Sequence, residues 1–142
     1  MPIQFFFAGA KIALSERKRL KAFIKGMLKR EKRKLISLSI IFCKDKYLLE
    51  INRQYLGHDY YTDIITFNLA EDNEIIEGEI YISVDRIREN ALINVVTTNH
   101  ELHRVIFHGI LHLCGYMDKL KSAKDTMTRQ ENQMLQKYFG HI

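Results

Sequence analysis

The sequence predicts an α+β fold: a small mixed β-sheet of about four strands covered by helices, with one central buried helix. Three observations carry that expectation. Four short runs, at residues 3–8, 35–43, 62–69 and 78–84, are apolar or alternate at the two-residue period of a strand. Five other stretches repeat apolar residues at helical spacing. One of these, opening at Thr97-Thr98-Asn99, is apolar almost all round, as a helix buried on every side must be. At 142 residues the chain is expected to be one domain, 1–142, large enough to bury a core without disulfides.

Taken in order, residues 3–8 with the Phe5-Phe6-Phe7 run form a first short strand. Ser15 is placed to cap a helix reaching Lys32. Leu20, Phe23, Ile24, Met27 and Leu28 fall at the i, i+3, i+4, i+7 and i+8 positions of its buried face, and Lys18, Lys21, Lys25, Lys29 and Lys32 share the other side. From Leu35 to Cys43, Ile36, Leu38, Ile40 and Phe42 alternate with Ser37 and Ser39 along a strand that ends in a core cysteine. Asp45 is placed to cap a helix through Leu56, and Gly57-His58-Asp59 marks the turn after it. Thr62–Leu69 and Gly78–Val84 are strands either side of the acidic loop 71–74. Asp85 is expected to cap a helix reaching Val96, and Ser122 a last helix, Ala123–Phe139, with Met127, Met134, Leu135 and Tyr138 inward.

Composition narrows the function classes. Apolar content of 46% and charged content of 27% are those of an ordinary globular chain. Cys43 and Cys114 stand alone, which leaves neither a disulfide framework nor a C-x-x-C metal site. The start, Met1-Pro2-Ile3-Gln4, lacks a basic n-region, and no apolar stretch approaches a membrane span, so a cytoplasmic protein without a membrane partner is expected. The net charge of +5 conceals an asymmetry: Lys11–Lys34 holds eleven basic and two acidic residues. Such a block is either a solvated helix face or a stripe that tracks the phosphates of a polyanion.

The chemistry concentrates in His108–Asp118. On a helix, His108 and His112 leave the same face one turn apart, and two such nitrogens can bind one divalent ion. Gly115 stands where a helix stops in the left-handed conformation. The turn it makes is expected to swing Asp118 back as the third metal ligand, leaving one open position for water. His58, His100, His103 and His141 are expected at surface or capping positions. The spacing resembles the metallopeptidase helix, but Gly109 occupies the place of the H-E-x-x-H glutamate. Without that base peptide hydrolysis is disfavoured, and the glycine is expected to open space beside the metal for a phosphate or sugar edge.

The segment His108-Gly-Ile-Leu-His112-Leu-Cys-Gly115-Tyr116 resembles the H-G-x-L-H-L-x-G-Y-D-H signature of the YbeY family. Ile51-Asn52-Arg53-Gln54-Tyr55, Thr62-Asp63-Ile64-Ile65-Thr66-Phe67 and Gly78-Glu79-Ile80-Tyr81-Ile82-Ser83 are similar to its L-N-x-x-Y-R, T-D-V-L-S-F and G-D-I-x-I-S blocks. The resemblance implies a metal-dependent endoribonuclease for single-stranded RNA. It further implies a role in 16S rRNA 3′-end maturation and ribosome quality control, with one Zn2+ and no small-molecule cofactor.

Two departures qualify what it implies. The family's third ligand is histidine, and here Asp118 brings a hard, charged oxygen that makes manganese or another divalent ion more suitable. Leu56 replaces an arginine implicated in cleavage, a role open to Arg53 or to the lysines at 18, 21, 25 and 29 as RNA-binding groups. The general base is unassigned, with Glu79 one candidate. A metal-containing, rRNA-binding assembly factor with little cleavage activity is the alternative reading.

Overall fold

The computed structural model describes residues 2–140 and bears out the α+β expectation. The expectation for His141 lies outside the described residues. In chain order the elements are β1 (Ile3–Ala8), α1 (Arg17–Arg30), β2 (Lys34–Cys43), α2 (Asp45–Leu56), β3 (Ile64–Asn68), β4 (Ile75–Ser83), α3 (Val84–Ile93), α4 (Thr98–Leu113) and α5 (Lys121–Phe139). The strands lie in the order β1-β2-β4-β3. β1, β2 and β4 run parallel, and β3 closes the edge antiparallel to β4.

Strand alternation sorts side chains between the two faces of this sheet. Leu38, Ile40 and Phe42 of β2 and Ile76, Ile80 and Ile82 of β4 enter the main core with Leu20, Ile24, Ile87, Leu102, Ile106 and Phe107 of the helices. Cys43 and Ile65 face the other way, into a smaller cluster with Leu48 of α2. α4 is the buried helix: Leu102, Ile106 and Phe107 have no exposed surface. Burying each such side chain stabilises the fold by about 1.5–3 kcal/mol relative to exposure. His103 is buried too, against the expectation of a surface position. α5 packs over that side of α4, and the His103 ring stacks on Tyr138 at 5.0 Å while its Nδ1 bonds the Asn99 carbonyl at 2.7 Å.

Helix starts depart from the sequence reading at most positions. α4 opens at Thr97-Thr98-Asn99 as expected, and Thr97 caps it, its hydroxyl accepting from His100 N at 3.0 Å. Ser15 does not cap α1, because Glu16 enters the helix in the left-handed conformation and takes the N-cap place. Leu120, not Ser122, precedes α5. Asp45 and Asp85 act across elements rather than within their own. The Asp85 carboxylate accepts from Asp45 N at 2.8 Å, at the first residue of α2. The Asp45 carboxylate in turn accepts from Ser83 Oγ and Arg86 Nε, both at 3.1 Å. Ser83 itself caps α3 by accepting from Arg86 N. α2 and α3 are thereby locked together at their N-termini.

Both cysteines are buried, as expected of core residues. Burial, with the charges of Asp45 and Asp85, pushes the Cys43 thiol up to about 12. Burial, with the charge of Glu31, pushes the Cys114 thiol up to about 11. Thiolate is the reactive form and is scarce at pH 8 at both positions. The folded protein is therefore expected to resist iodoacetamide at pH 8 and to take up two labels once unfolded in urea, counted by mass spectrometry. Rapid labelling of the native chain would contradict the burial of these groups.

Candidate active-site cavity and metal centre

A cavity of about 390 Å³ opens where the edge strand β3, the segment from Leu56 to Asp63, α4 and the turn after α4 meet. His108, His112 and Asp118 all line it, so the three expected ligands share one space. The two imidazoles are nearly parallel, with ring centroids 6.4 Å apart and 7° between planes, as a spacing of four on one helix dictates.

The turn follows from Gly115, which sits at φ +100°. Tyr116 N donates to Leu111 O at 3.1 Å and Gly115 N to His112 O at 3.0 Å, the paired bonds of a Schellman stop. This stop leaves the Tyr116 carbonyl 3.0 Å from His112 Nδ1. Arg33 donates to the Cys114 carbonyl at 2.7 Å, and Tyr116 Oη donates to Glu31 at 3.2 Å. The C-terminal end of the basic segment is thus fastened to the turn.

His108 is held by a longer chain of charge. Its Nδ1 lies 2.5 Å from Glu131 Oε2 of α5. The other Glu131 oxygen accepts from Arg104 at 3.0 Å, and Arg104 forks onto both oxygens of Glu101 at 3.0 and 2.6 Å. Glu101 and Glu131 are only 1% and 4% exposed, so these carboxylates depend on their partners for charge compensation. The Glu101 hydrogen bond holds the Arg104 guanidinium above its ordinary value. Burial lowers the His108 pKa, but the Glu131 bond and charge, with Asp118 and Asp63, outweigh it and leave the ring above its ordinary value.

These partners decide which ring nitrogens are available. A carboxylate and a carbonyl accept and do not donate, so Nδ1 carries the hydrogen in both neutral rings. The Nε2 lone pairs are left for another partner. His108 Nε2 lies 3.4 Å from Asp118 Oδ2. A lone pair facing a carboxylate oxygen calls for positive charge between them. Two ligands about 2.0–2.1 Å from a tetrahedral ion stand about 3.4 Å apart, which is the separation of this pair. Metal-bound histidines generally donate their second nitrogen to a carboxylate or carbonyl, and both rings do so here. The donor set therefore fits a divalent ion. Among the described residues no three His, Cys, Asp or Glu side chains are already clustered tightly enough to hold one.

Other expected residues lie elsewhere. Lys18, Lys25 and Lys29 are exposed on α1, and Lys21 is half-buried with Nζ 5.6 Å from the Phe5 ring centre. Arg53 is engaged by Glu50 at 2.9 Å and Asp59 at 2.5 Å. None of these five lines the cavity. Glu79 is not placed as a base: β4 alternation turns it to the α2 face, where Tyr81 Oη reaches it at 3.4 Å. Asp63 lines the cavity as a second carboxylate beside Asp118, and Arg104 and Lys119 line it as well.

Gly109 does not open space beside the imidazoles. A Cβ there would meet Ile64 Cδ1 at 2.9 Å and Ile80 at 3.0 Å, so the missing side chain lets α4 pack on the sheet. Sequence reasoning missed Glu131 and Arg104. Glu131 is 23 residues from His108 and reads as one more polar position on an amphipathic helix. Arg104 had a signal, since it stands one turn before His108 on the same face.

Imidazoles and carboxylates converging in one cavity beside a mixed sheet define a hydrolytic class of site on an α+β scaffold. Sequence relatives make the class particular. The family model described as Endoribonuclease YbeY matches residues 8–139. Proteins named Endoribonuclease YbeY from Cytophaga hutchinsonii and Parabacteroides distasonis are 44% and 43% identical, over 94% and 95% of this chain and 93% and 94% of their own lengths. The solution structure of TM1509 from Thermotoga maritima matches with a TM-score of 0.68 at 28% identity, covering 97% of this chain and 89% of that one. The chain belongs to the YbeY family, and with membership comes the enzyme class, a hydrolase acting as an endoribonuclease.

Gly109→Glu would restore the H-E-x-x-H spelling. It is expected to destabilise the protein by about 3 kcal/mol or more, since it overpacks the sheet contact and buries an unpaired carboxylate. Urea unfolding measures the change, and a variant as stable as the parent would contradict this role for Gly109.

Proposed function

We propose that this chain is a metal-dependent endoribonuclease that cuts single-stranded RNA in the cytoplasm, with ribosomal RNA and the ribosome as partners. The roles we assign are 16S rRNA 3′-end maturation and ribosome quality control. The observation that carries the metal dependence is the pair of Nδ1-anchored imidazoles that line one cavity with Asp118.

His108, His112 and Asp118 would hold one Zn2+, or another divalent ion suited to the carboxylate. Such an ion supplies Lewis acidity towards water and a phosphate oxygen. The chain's own groups do the rest. Glu131 and the Tyr116 carbonyl keep the two rings in the ligating tautomer. Asp63 accepts the proton of the attacking water from its place in the cavity wall. Lys119, also on the cavity wall, offsets the charge of the phosphate. Lys18, Lys25 and Lys29 give the RNA backbone a basic track on α1, whose end abuts the metal-side turn. Leu56 on the cavity wall favours the second reading, an RNA-binding assembly factor with little cleavage.

Zinc- or manganese-loaded protein is expected to cleave a single-stranded oligoribonucleotide and to stop when the metal is chelated. His108→Ala and Asp118→Ala are each expected to reduce cleavage by about a hundredfold or more. Gel analysis of the products checks both. Full-rate cleavage by metal-free protein overturns the metal dependence, and tight RNA binding without cleavage selects the assembly-factor reading.

A further inference from the structure

We propose that His58 and Tyr60 form a nucleobase-stacking subsite that seats one unpaired base of the RNA at the mouth of the cavity. The proposal rests on the endoribonuclease reading for its ligand, and its geometry stands on separate observations.

The end of α2 and the connection to β3 present Leu56, His58, Tyr60, Thr62 and Asp63 to the cavity. The residues between are engaged elsewhere: Asp59 pairs with Arg53 at 2.5 Å, and Tyr61 lies 5.2 Å from the Arg86 guanidinium. The helix end at Leu56 and the turn after it thus place an aliphatic side chain and two rings on one cavity wall.

The rings are preorganised. His58 and Tyr60 stack with centroids 5.1 Å apart and 19° between planes. Tyr60 Oη is 2.9 Å from His58 Nδ1, which ties the pair at its edge. Asn52, 1% exposed, supports the segment from beneath. Its side-chain amide donates to the Tyr60 carbonyl at 2.9 Å, and its own carbonyl accepts from His58 N at 3.1 Å. Yet Tyr60 is 55% exposed, far more than a ring kept for packing.

Two rings stacked on each other leave the outer face of each uncovered by its partner. A planar aromatic ligand extends such a stack at small cost, because the rings are already ordered. His108, Asp118 and both rings line the same cavity, so RNA with a phosphate at the first pair brings its bases towards the second. A base in a duplex is stacked on both faces and cannot present one, whereas an unpaired base can be splayed out. The subsite therefore supplies a physical reason for single-strand preference. Leu56 extends the same apolar rim where the family motif has arginine, consistent with recognition here by a base face rather than by a charge.

The test uses zinc-loaded protein and a fluorescent single-stranded oligoribonucleotide, intact or with one nucleotide near the cut made abasic. Tyr60→Ala is expected to weaken the intact substrate roughly tenfold or more, in KM rather than in kcat. Tyr60→Phe and Tyr60→Trp, which keep a ring, are expected to restore most of it. Removing the base should cost the parent protein a similar factor at one position and cost Tyr60→Ala little further. Unchanged KM in Tyr60→Ala overturns the subsite, as do losses from ring and base that simply multiply at every position scanned. A parent protein that cuts no RNA overturns the endoribonuclease reading. The subsite is then decided by affinity from fluorescence anisotropy: base-dependent affinity lost in Tyr60→Ala supports it, and equal affinities overturn it.

Discussion

The hydrogen bond between His108 Nδ1 and Glu131, 2.5 Å long, joins the chemistry of this protein to its packing. Glu131 lies on α5 and is almost wholly out of water, so its carboxylate needs partners on both oxygens. Arg104 and His108 provide them from one face of α4. Docking α5 on α4 and choosing the His108 tautomer are therefore a single event. Breaking such a buried arrangement on one side costs about 3–5 kcal/mol, which makes the ring orientation a property of the folded core.

Backbone geometry does for His112 what Glu131 does for His108. The Schellman stop at Gly115 consumes the amide groups after α4 and leaves the Tyr116 carbonyl as an acceptor beside the second ring. The close approach of α4 to Ile64 and Ile80, made possible by Gly109, sets the depth at which both rings meet the cavity. On the far wall, the exchange of carboxylates between the starts of α2 and α3 fixes the helix from which the 57–63 segment departs. Three local devices thus converge on one space, two from ordinary helix-end chemistry and one from close helix–sheet packing.

Much of this was legible in the residues. Periodicity placed every strand and helix, since apolar faces must be buried whatever covers them. The imidazole pair, the stop at Gly115 and the return of Asp118 follow from helical geometry over ten residues of chain. What escaped depends on distant partners. Asp45 and Asp85 look like caps of their own helices, and only the packing of α2 beside α3 reveals the exchange. Gly109 is ambiguous in an isolated helix because space beside it is defined by the sheet. Glu79 could have been excluded from sequence, because an inward Ile80 and Ile82 turn it to the opposite face. Membership of the YbeY family accounts for why the signature residues recur together, while the hydrogen bonds account for what each contributes.

The central claim is that both imidazoles are fixed as Nδ1–H tautomers, which leaves Nε2 of each ring for the proposed cation. Long-range proton–nitrogen NMR of 15N-histidine protein reports this ring by ring. In metal-free protein at a pH where the rings are uncharged the account predicts Nδ1–H for His108 and His112, and on adding one equivalent of Zn2+ a shift of both Nε2 signals together. Nε2–H tautomers at these positions, or a zinc response confined to other histidines, would contradict it.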